Sequence, residues 1–342
     1  MTTKNANIKD VAAHANVSIG SVSRYLNGHK LKNGTEEKIK AAIEILNYKK
    51  NPFAQYVRKT GTNMIGILVP DIADYFPMAT VSAVDKALNG SGYYTSISAY
   101  GQSELNKLNE QEIHQLKRRF IDGLIFFPSP DQAYNALVLD MYLRDSIPVV
   151  VFDQLIERAD IDVVMVDNFD SAFRSVEYLI HKGHKDIAII AGDPLYHTTI
   201  ERLRGYTSAL DMYDIPLNDC FIMYGAYSTA GGFDAARQIA GLQKKPTALF
   251  VTNDKMAVGM MMAFNETGIK IPDDISVIAF DHSETLDVFK PTLTYVEQPI
   301  SAMGECIAAI ILKRIKKDFA GFPHIEQLKT KFVIQNSVKN RG

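Results

Sequence analysis

The sequence predicts a chain in two parts: a small all-α head with a helix-turn-helix pattern, then a large α/β body of two doubly wound parallel-sheet lobes. Three observations lead there. Residues 8–27 read as two short helices joined by a tight turn. From Met64 onward, short apolar runs alternate with amphipathic stretches, the texture of parallel sheets covered on both faces. Charge divides at the same place. Residues 1–61 hold eleven Lys/Arg against four Asp/Glu, a balance of +7, and the other 281 residues hold 26 against 35, a balance of −9.

In the head, Val11, Ala12 and Ala15 give the first helix an apolar face. Asn16 and Val17 make the turn. Ser18 is suited to cap the next helix, since its hydroxyl accepts a backbone N–H. Residues 19–26 form that helix, with Val22 and Leu26 turned inward, and Asn27-Gly28 ends it. Ile19, Gly20, Ser21 and Arg24 remain on the outer face. A third helix is expected over 35–47, capped by Thr35, with Ile39, Ala42, Ile43 and Leu46 on one face. Residues 51–61 read as a hinge: Asn51 caps a two-turn helix with Pro52 at its first position, too short to hold itself alone.

In the body, buried strands are expected over 64–69, 93–98, 123–127, 149–152, 163–166, 187–191, 248–251, 275–279 and 293–296. Helices are expected over 78–89, 104–120, 171–182, 200–211, 232–242 and 255–266. About 280 residues exceed one comfortable sheet, so two lobes follow. Ligands of such sheets bind at the carboxyl ends of strands. Those ends here are rich in acids and amides: Asp71, Asp153-Gln154, Asn253-Asp254 and Asp281-His282.

Composition narrows the function. The basic head suits phosphate contacts and the acidic body stays off a polyanion. No run reaches the ~18 apolar residues that span a membrane, and the first residues lack an apolar signal segment, so the expectation is a cytoplasmic protein without membrane contact. Cys220 and Cys306, far apart, read as reduced thiols. No phosphate loop, dinucleotide fingerprint, nucleophile elbow or zinc helix appears, so neither a cofactor nor a metal is expected. His181 and His184 flank Gly183 and read as a helix-end surface cap rather than a metal pair. Acids without a nucleophile–base pair favour binding over chemistry.

Taken together, these segments resemble the LacI/GalR family of transcriptional regulators over about residues 7–338. The head reads Ile-Lys-Asp-Val-Ala…Val-Ser…Val-Ser-Arg…Leu-Asn-Gly; the body carries Ile-Gly-Ile-Leu-Val-Pro-Asp-Ile, Ile-Pro-Val-Val-Val-Phe-Asp, Glu-Arg-Leu-Arg-Gly-Tyr, Thr-Asn-Asp and Asp-Ile-Ser-Val-Ile-Ala-Phe-Asp in order. The resemblance implies a homodimeric repressor that binds double-stranded operator DNA and answers to a small sugar. It implies a DNA-binding domain over 1–50, the hinge over 51–61 and an effector-binding and dimerisation domain over 62–342 of the periplasmic-sugar-binding type. Three crossings near 161, 291 and 322 would then divide lobe 1 (62–161 and 292–322) from lobe 2 (162–291 and 323–338).

The DNA-contacting positions implied are Asn7, Ser18, Ile19, Gly20, Ser21, Ser23, Arg24 and Asn27, with Val57 as a minor-groove wedge. The effector-binding positions implied are Asp71, Phe76, Asp153, Arg202, Tyr227, Asn253, Asp281 and Gln298. An Arg fork binds neighbouring hydroxyls, and aromatic rings stack on a sugar's apolar face. Asp71 and Asn253 are equally suited to capping the helices that follow them. Three alternatives stand beside this reading: a partner- or corepressor-dependent regulator of the same family, a sugar-binding protein without a DNA role, and an α/β sugar-modifying enzyme.

Overall fold

The computed structural model describes residues 8–26, 29–31, 34–46, 48, 61–100, 121–156 and 158–342. The chain forms two compact units, Met1–Thr62 and Asn63–Gly342. In the first, α1 (Ile8–Ala15), α2 (Ile19–Leu26) and α3 (Thr35–Ile45) pack around Val11, Ala12, Ala15, Val22, Ile39 and Ala42. The turn between α1 and α2 closes on Asn16 at φ 51°, a conformation asparagine tolerates. Thr35 does not cap α3. It is the first helical residue, and Gly34 precedes it at φ 84° without a side-chain cap. The Glu36 carboxylate instead accepts the Leu31 N–H at 2.7 Å, tying the loop to the helix.

The second unit runs β1 (Met64–Val69), α4 (Tyr75–Leu88), β2 (Tyr94–Ala99), β3 (Gly123–Phe126), α5 (Gln132–Arg144), β4 (Val149–Phe152), β5 (Asp162–Val166), α6 (Asn168–His181), β6 (Ile187–Ala191), α7 (His197–Met212), β7 (Ile222–Tyr224), α8 (Thr229–Gly241), β8 (Ala248–Val251), α9 (Asp254–Thr267), β9 (Ser276–Phe280), β10 (Thr294–Glu297), α10 (Ile300–Ile315), β11 (Ile325–Leu328) and β12 (Lys331–Val333). The helix expected over 104–120 lies outside the described residues.

Two six-stranded sheets share one plan: β2-β1-β3-β4-β5-β11 and β7-β6-β8-β9-β10-β12. In each, the order reverses beside the first strand, where a doubly wound sheet opens a crevice at its strand ends. All pairs are parallel except β10–β12. The central strands are buried along their whole length, as their unbroken apolar runs require.

Sheet membership corrects the lobe boundaries. β5 belongs to the first sheet, β10 to the second and β11 to the first. The chain therefore crosses near 167, 298 and 329, not near 161, 291 and 322. A strand's local sequence does not say which sheet it joins, so the crossings implied by the resemblance fell one strand early. A buried ion pair fixes the first lobe's far edge: Arg314 of α10 donates from Nε and Nη2 to Asp162 at 2.8 and 2.9 Å, and Asp162 also accepts the His324 N–H at 2.8 Å. His184 is likewise no surface cap. It is buried, with Nδ1 2.9 Å from Thr247 Oγ1 and Nε2 3.1 Å from the Lys339 carbonyl, and it ties the C-terminal segment to the second sheet.

Candidate functional site

On the head, the outer face of α2 carries Ile19, 39 % exposed, beside exposed Gly20 and Arg24 and half-buried Ser21 and Ser23. Val22 on the opposite face is fully buried, which fixes the helix's rotation. Ser18 does cap α2: its Oγ accepts the Ser21 N–H at 3.1 Å and lies 2.9 Å from Ser21 Oγ. Among the described residues of the head nothing requires glycine at position 20, since an added Cβ meets only Ser18 Oγ at 3.7 Å. Asn7, Asn27, Val57 and the hinge over 51–60 lie outside the described residues.

In the body, a cleft between the strand ends of the two sheets is built on a repeated device. Asp153 follows β4 at φ 70° and its N–H is held by the Val164 carbonyl at 2.9 Å. Asp281 follows β9 at φ 68° and its N–H is held by the Val296 carbonyl at 3.0 Å. The left-handed backbone stops each strand and leaves a carboxylate at the crevice, at a local cost that aspartate bears better than most residues. Each carboxylate takes a glutamine amide: Gln154 Nε2 donates to Asp153 Oδ2 at 3.1 Å, and Gln298 Nε2 donates to Asp281 Oδ1 at 2.6 Å. Burial pushes Asp281 up to about 7 and Asp153 up to about 6, in both cases against the pull of the Arg202 charge.

Arg202 on α7 is 3 % exposed. Its Nε donates to Asn168 Oδ1 at 2.8 Å, its Nη1 donates to the Thr252 carbonyl at 2.6 Å, and its plane centre sits 3.6 Å from the Phe280 ring centroid. Nη2 has no partner among the described residues. Asp153 Oδ1 and Gln298 Oε1 are buried acceptors likewise without a donor. Native proteins rarely leave such atoms unpaired unless something else fills the space.

Tyr227 closes one wall. Its hydroxyl lies 3.0 Å from Thr198 Oγ1 and 2.6 Å from Thr199 Oγ1, and its ring meets Tyr196 edge-on. The ring covers Gly192, where an added Cβ would stand 2.1 Å from it. Among the described residues a hydrogen bond and an ion pair link side chains across the cleft: Gln154 Nε2 to Thr198 Oγ1 at 3.2 Å, and Lys255 with Asp74.

Of the eight effector positions expected, Phe76, Asp153, Arg202, Tyr227, Asn253, Asp281 and Gln298 line this cleft and Asp71 does not. Asp71 is spent on a turn, its Oδ1 accepting the Ala73 N–H at 2.9 Å, and Asp74 three residues on faces the cleft instead. Asn253 lines the cleft but also caps α9, with Oδ1 on the Met256 N–H at 3.1 Å. The sequence marked Gln154 only as the neighbour of Asp153 at a strand end, and it carried no signal for Tyr75, Tyr196, Thr198 and Lys255, which also line the cleft. Among the described residues no group of three or more His, Cys, Asp or Glu is placed to hold a metal ion, and no helix is long and apolar enough to cross a membrane.

Comparisons with known proteins agree with both units. Residues 7–51 match bacterial regulatory proteins of the lacI family, and residues 176–338 match a periplasmic binding protein-like domain. The chain is 31 % identical over 335 residues to the HTH-type transcriptional repressor PurR of Vibrio parahaemolyticus, covering 98 % of this chain and 99 % of that one. The chain belongs to the LacI family of bacterial regulatory proteins. Catabolite control protein A of Priestia megaterium is 29 % identical over 321 residues, 92 % of this chain and 94 % of its own. The lac repressor dimer bound to operator and the anti-inducer ONPF superposes with a TM-score of 0.81 at 26 % identity, covering 98 % of this chain and 100 % of that one. A transcriptional regulator CelR–cellobiose complex gives 0.74 at 25 % identity, covering 97 % and 99 %. This LacI-family chain is a DNA-binding transcriptional regulator with a small-molecule-binding body, and the relatives it matches are regulators.

Proposed function

We propose that this LacI-family regulator is a homodimeric repressor whose grip on a pseudo-palindromic operator is set by a neutral sugar bound between its lobes. The observation that carries the ligand class is the set of unpaired atoms in the cleft. Asp153 Oδ1 and Gln298 Oε1 are two buried acceptors needing donors, and Arg202, with Nε and Nη1 committed to the protein, has Nη2 left to donate. Hydroxyl groups answer both needs, because each donates one hydrogen bond and accepts others. Phe76 and Tyr227 add aromatic surface for the apolar face of a sugar ring. A phosphate ester is disfavoured: Asp74, Asp153, Asp254 and Asp281 line the cleft against two cations, Arg202 and Lys255.

For DNA, the fit is the outward face of α2, with Ser18, Ile19, Gly20, Ser21, Ser23 and Arg24 available to a major groove. An exposed glycine in a helix costs roughly 0.5–1 kcal/mol relative to alanine. Among the described residues of the head only Ser18 Oγ, at 3.7 Å, neighbours an added Cβ at Gly20, and close approach of a duplex is the reading that accounts for that cost. Two heads related by a two-fold axis require two half-sites of matching symmetry.

The test is calorimetry of the full chain against neutral sugars, sugar phosphates and purine bases, followed by a gel shift on an operator selected from random duplexes. A neutral sugar should bind and release the operator. A purine or phosphorylated ligand binding tightly while every sugar fails would overturn the ligand class and leave the regulator standing.

A further inference from the structure

Beside the cleft lies a second, wider groove of about 550 Å³. Tyr75, Phe76, Asp281 and Gln298 line both spaces, so the two communicate through a waist at these four residues. The inner space is small, about 70 Å³. That is room for roughly five waters at the 10–15 Å³ each requires, about the size of one six-membered polyol ring. The outer space has a different wall. It is built from the segments where the chain crosses between lobes: Gln298 and the start of α10 at the second crossing, and residues 329–331 at the third.

The outer groove also holds unpaired polar atoms. Gln298 is buried, and while its Nε2 is committed to Asp281, its Oε1 has no partner. The start of α10 is uncapped by any side chain. The Ser301 and Ala302 N–H groups have no acceptor among the described residues, and such first-turn donors need one from outside the helix. Tyr75, 44 % exposed, offers an aromatic surface at the waist. Charge is balanced: Asp281 and Glu297 stand against Lys329 and Lys331, with Lys331 paired to Glu297 at 3.5 Å. Donors, an acceptor, an aromatic surface and no net charge describe a place for a second neutral sugar residue rather than for an ion.

We infer that the effector is a two-ring glycoside, with one ring in the inner cleft, the glycosidic link at the Tyr75–Gln298 waist, and the second ring against the crossing segments. This rests on the sugar reading of the cleft. It also gives the second ring a role. The crossing segments must adjust when the lobes change their relative arrangement, so a ring seated on them contacts the part of the body that differs between arrangements. Only such differential contact lets a ligand shift an equilibrium.

The test is calorimetry of the full chain with glucose and galactose against maltose, cellobiose and lactose, on the parent and on Ala302→Trp. Ala302 is exposed at the outer wall, so the indole occupies the groove without entering the core. One of the disaccharides should bind at least tenfold tighter than either monosaccharide. Ala302→Trp should lower that affinity at least tenfold and change monosaccharide affinity less than twofold, and Ala302→Ser should behave as the parent. A monosaccharide binding as tightly as every disaccharide, or an Ala302→Trp effect equal on both, overturns the two-ring inference and leaves the sugar reading intact. Binding of none of the five overturns the two-ring inference, and failure of every neutral sugar in the wider panel overturns the sugar reading as well.

Discussion

Replacing Asp281 by asparagine should make the protein more stable at alkaline pH and leave it unchanged at acid pH. Asp281 is 7 % exposed, and burial pushes its carboxyl up to about 7, well above the usual carboxylate value of about 4. Between about pH 4 and pH 7 the folded protein keeps a proton that the unfolded chain has released. Stability therefore falls as pH rises, by about 1.4 kcal/mol per unit, and the total over that window is about 4 kcal/mol. This is the reverse of the usual salt-bridged aspartate. Asp153 acts in the same direction over the narrower window up to about 6. Asparagine removes the titration with little else changed. It tolerates the left-handed backbone at φ 68°, and its carbonyl oxygen still accepts from Gln298 Nε2. Urea denaturation of parent and Asp281→Asn at pH 4, 5, 6, 7 and 8 measures the difference. It should be near zero at pH 4 and grow toward about 4 kcal/mol in favour of the variant, a net figure that already contains the attraction of Arg202. Effector affinity of the parent should run the other way, rising up to tenfold per unit toward pH 7, because hydroxyl donors favour the ionised carboxylate. A stability difference that stays flat from pH 5 to 8 would refute the burial argument.

Gly192→Ala places a Cβ 2.1 Å from the Tyr227 ring, so it should displace that ring and weaken effector binding at least tenfold by calorimetry, with an unchanged circular-dichroism spectrum. Arg314→Ala leaves Asp162 buried without its guanidinium and should cost about 3–5 kcal/mol in urea denaturation, while Arg144→Ala at an exposed pair should cost less than about 1 kcal/mol. Gly20→Ala should stabilise the head by about 0.5–1 kcal/mol yet weaken operator binding in a gel shift; equal operator affinity would show that no duplex approaches that position closely.

How much of this was legible in the sequence depended on burial. β4, β6, β8 and β9 are buried on both faces, and an unbroken apolar run of four or five residues marks them. β7, β11 and β12 went unread because they are short, half-exposed edge strands: β7 and β12 have only three residues each, and β11 mixes Glu and Gln into its run. The lobe boundaries slipped for a related reason. Strand pairing across 160 residues, as in β5 with β11, leaves no trace in local composition. Within the cleft, Arg202, Asp153 and Asp281 were readable from motif position. Asp71 and Asp74 were not separable, since both belong to one Pro-Asp-Ile-Ala-Asp turn and only the backbone decides which carboxylate satisfies the turn. Tyr75 and Lys255 are visible only once the lobes face each other.

The contacts that bridge the lobes are weak compared with those a ligand can make. Lys255 and Asp74 are partly exposed, and such a pair contributes about 0–1 kcal/mol. The Gln154–Thr198 hydrogen bond, between neutral groups, adds about 0.5–1.5 kcal/mol. Hydrogen bonds to charged groups contribute about 1.5–3 kcal/mol each. A ligand that engages both Asp153 Oδ1, on the first lobe, and Arg202 Nη2, on the second, therefore outweighs the protein's own bridges. Coupling to DNA is reciprocal: whatever factor the sugar takes from operator affinity, saturating operator must take from sugar affinity. Typical couplings of about 1–3 kcal/mol correspond to factors of about 5–150. Sugar titrations with and without operator should show equal and matching shifts, and a sugar affinity unchanged by operator, alongside an operator affinity changed by sugar, would mean that the two ligands do not act through one equilibrium.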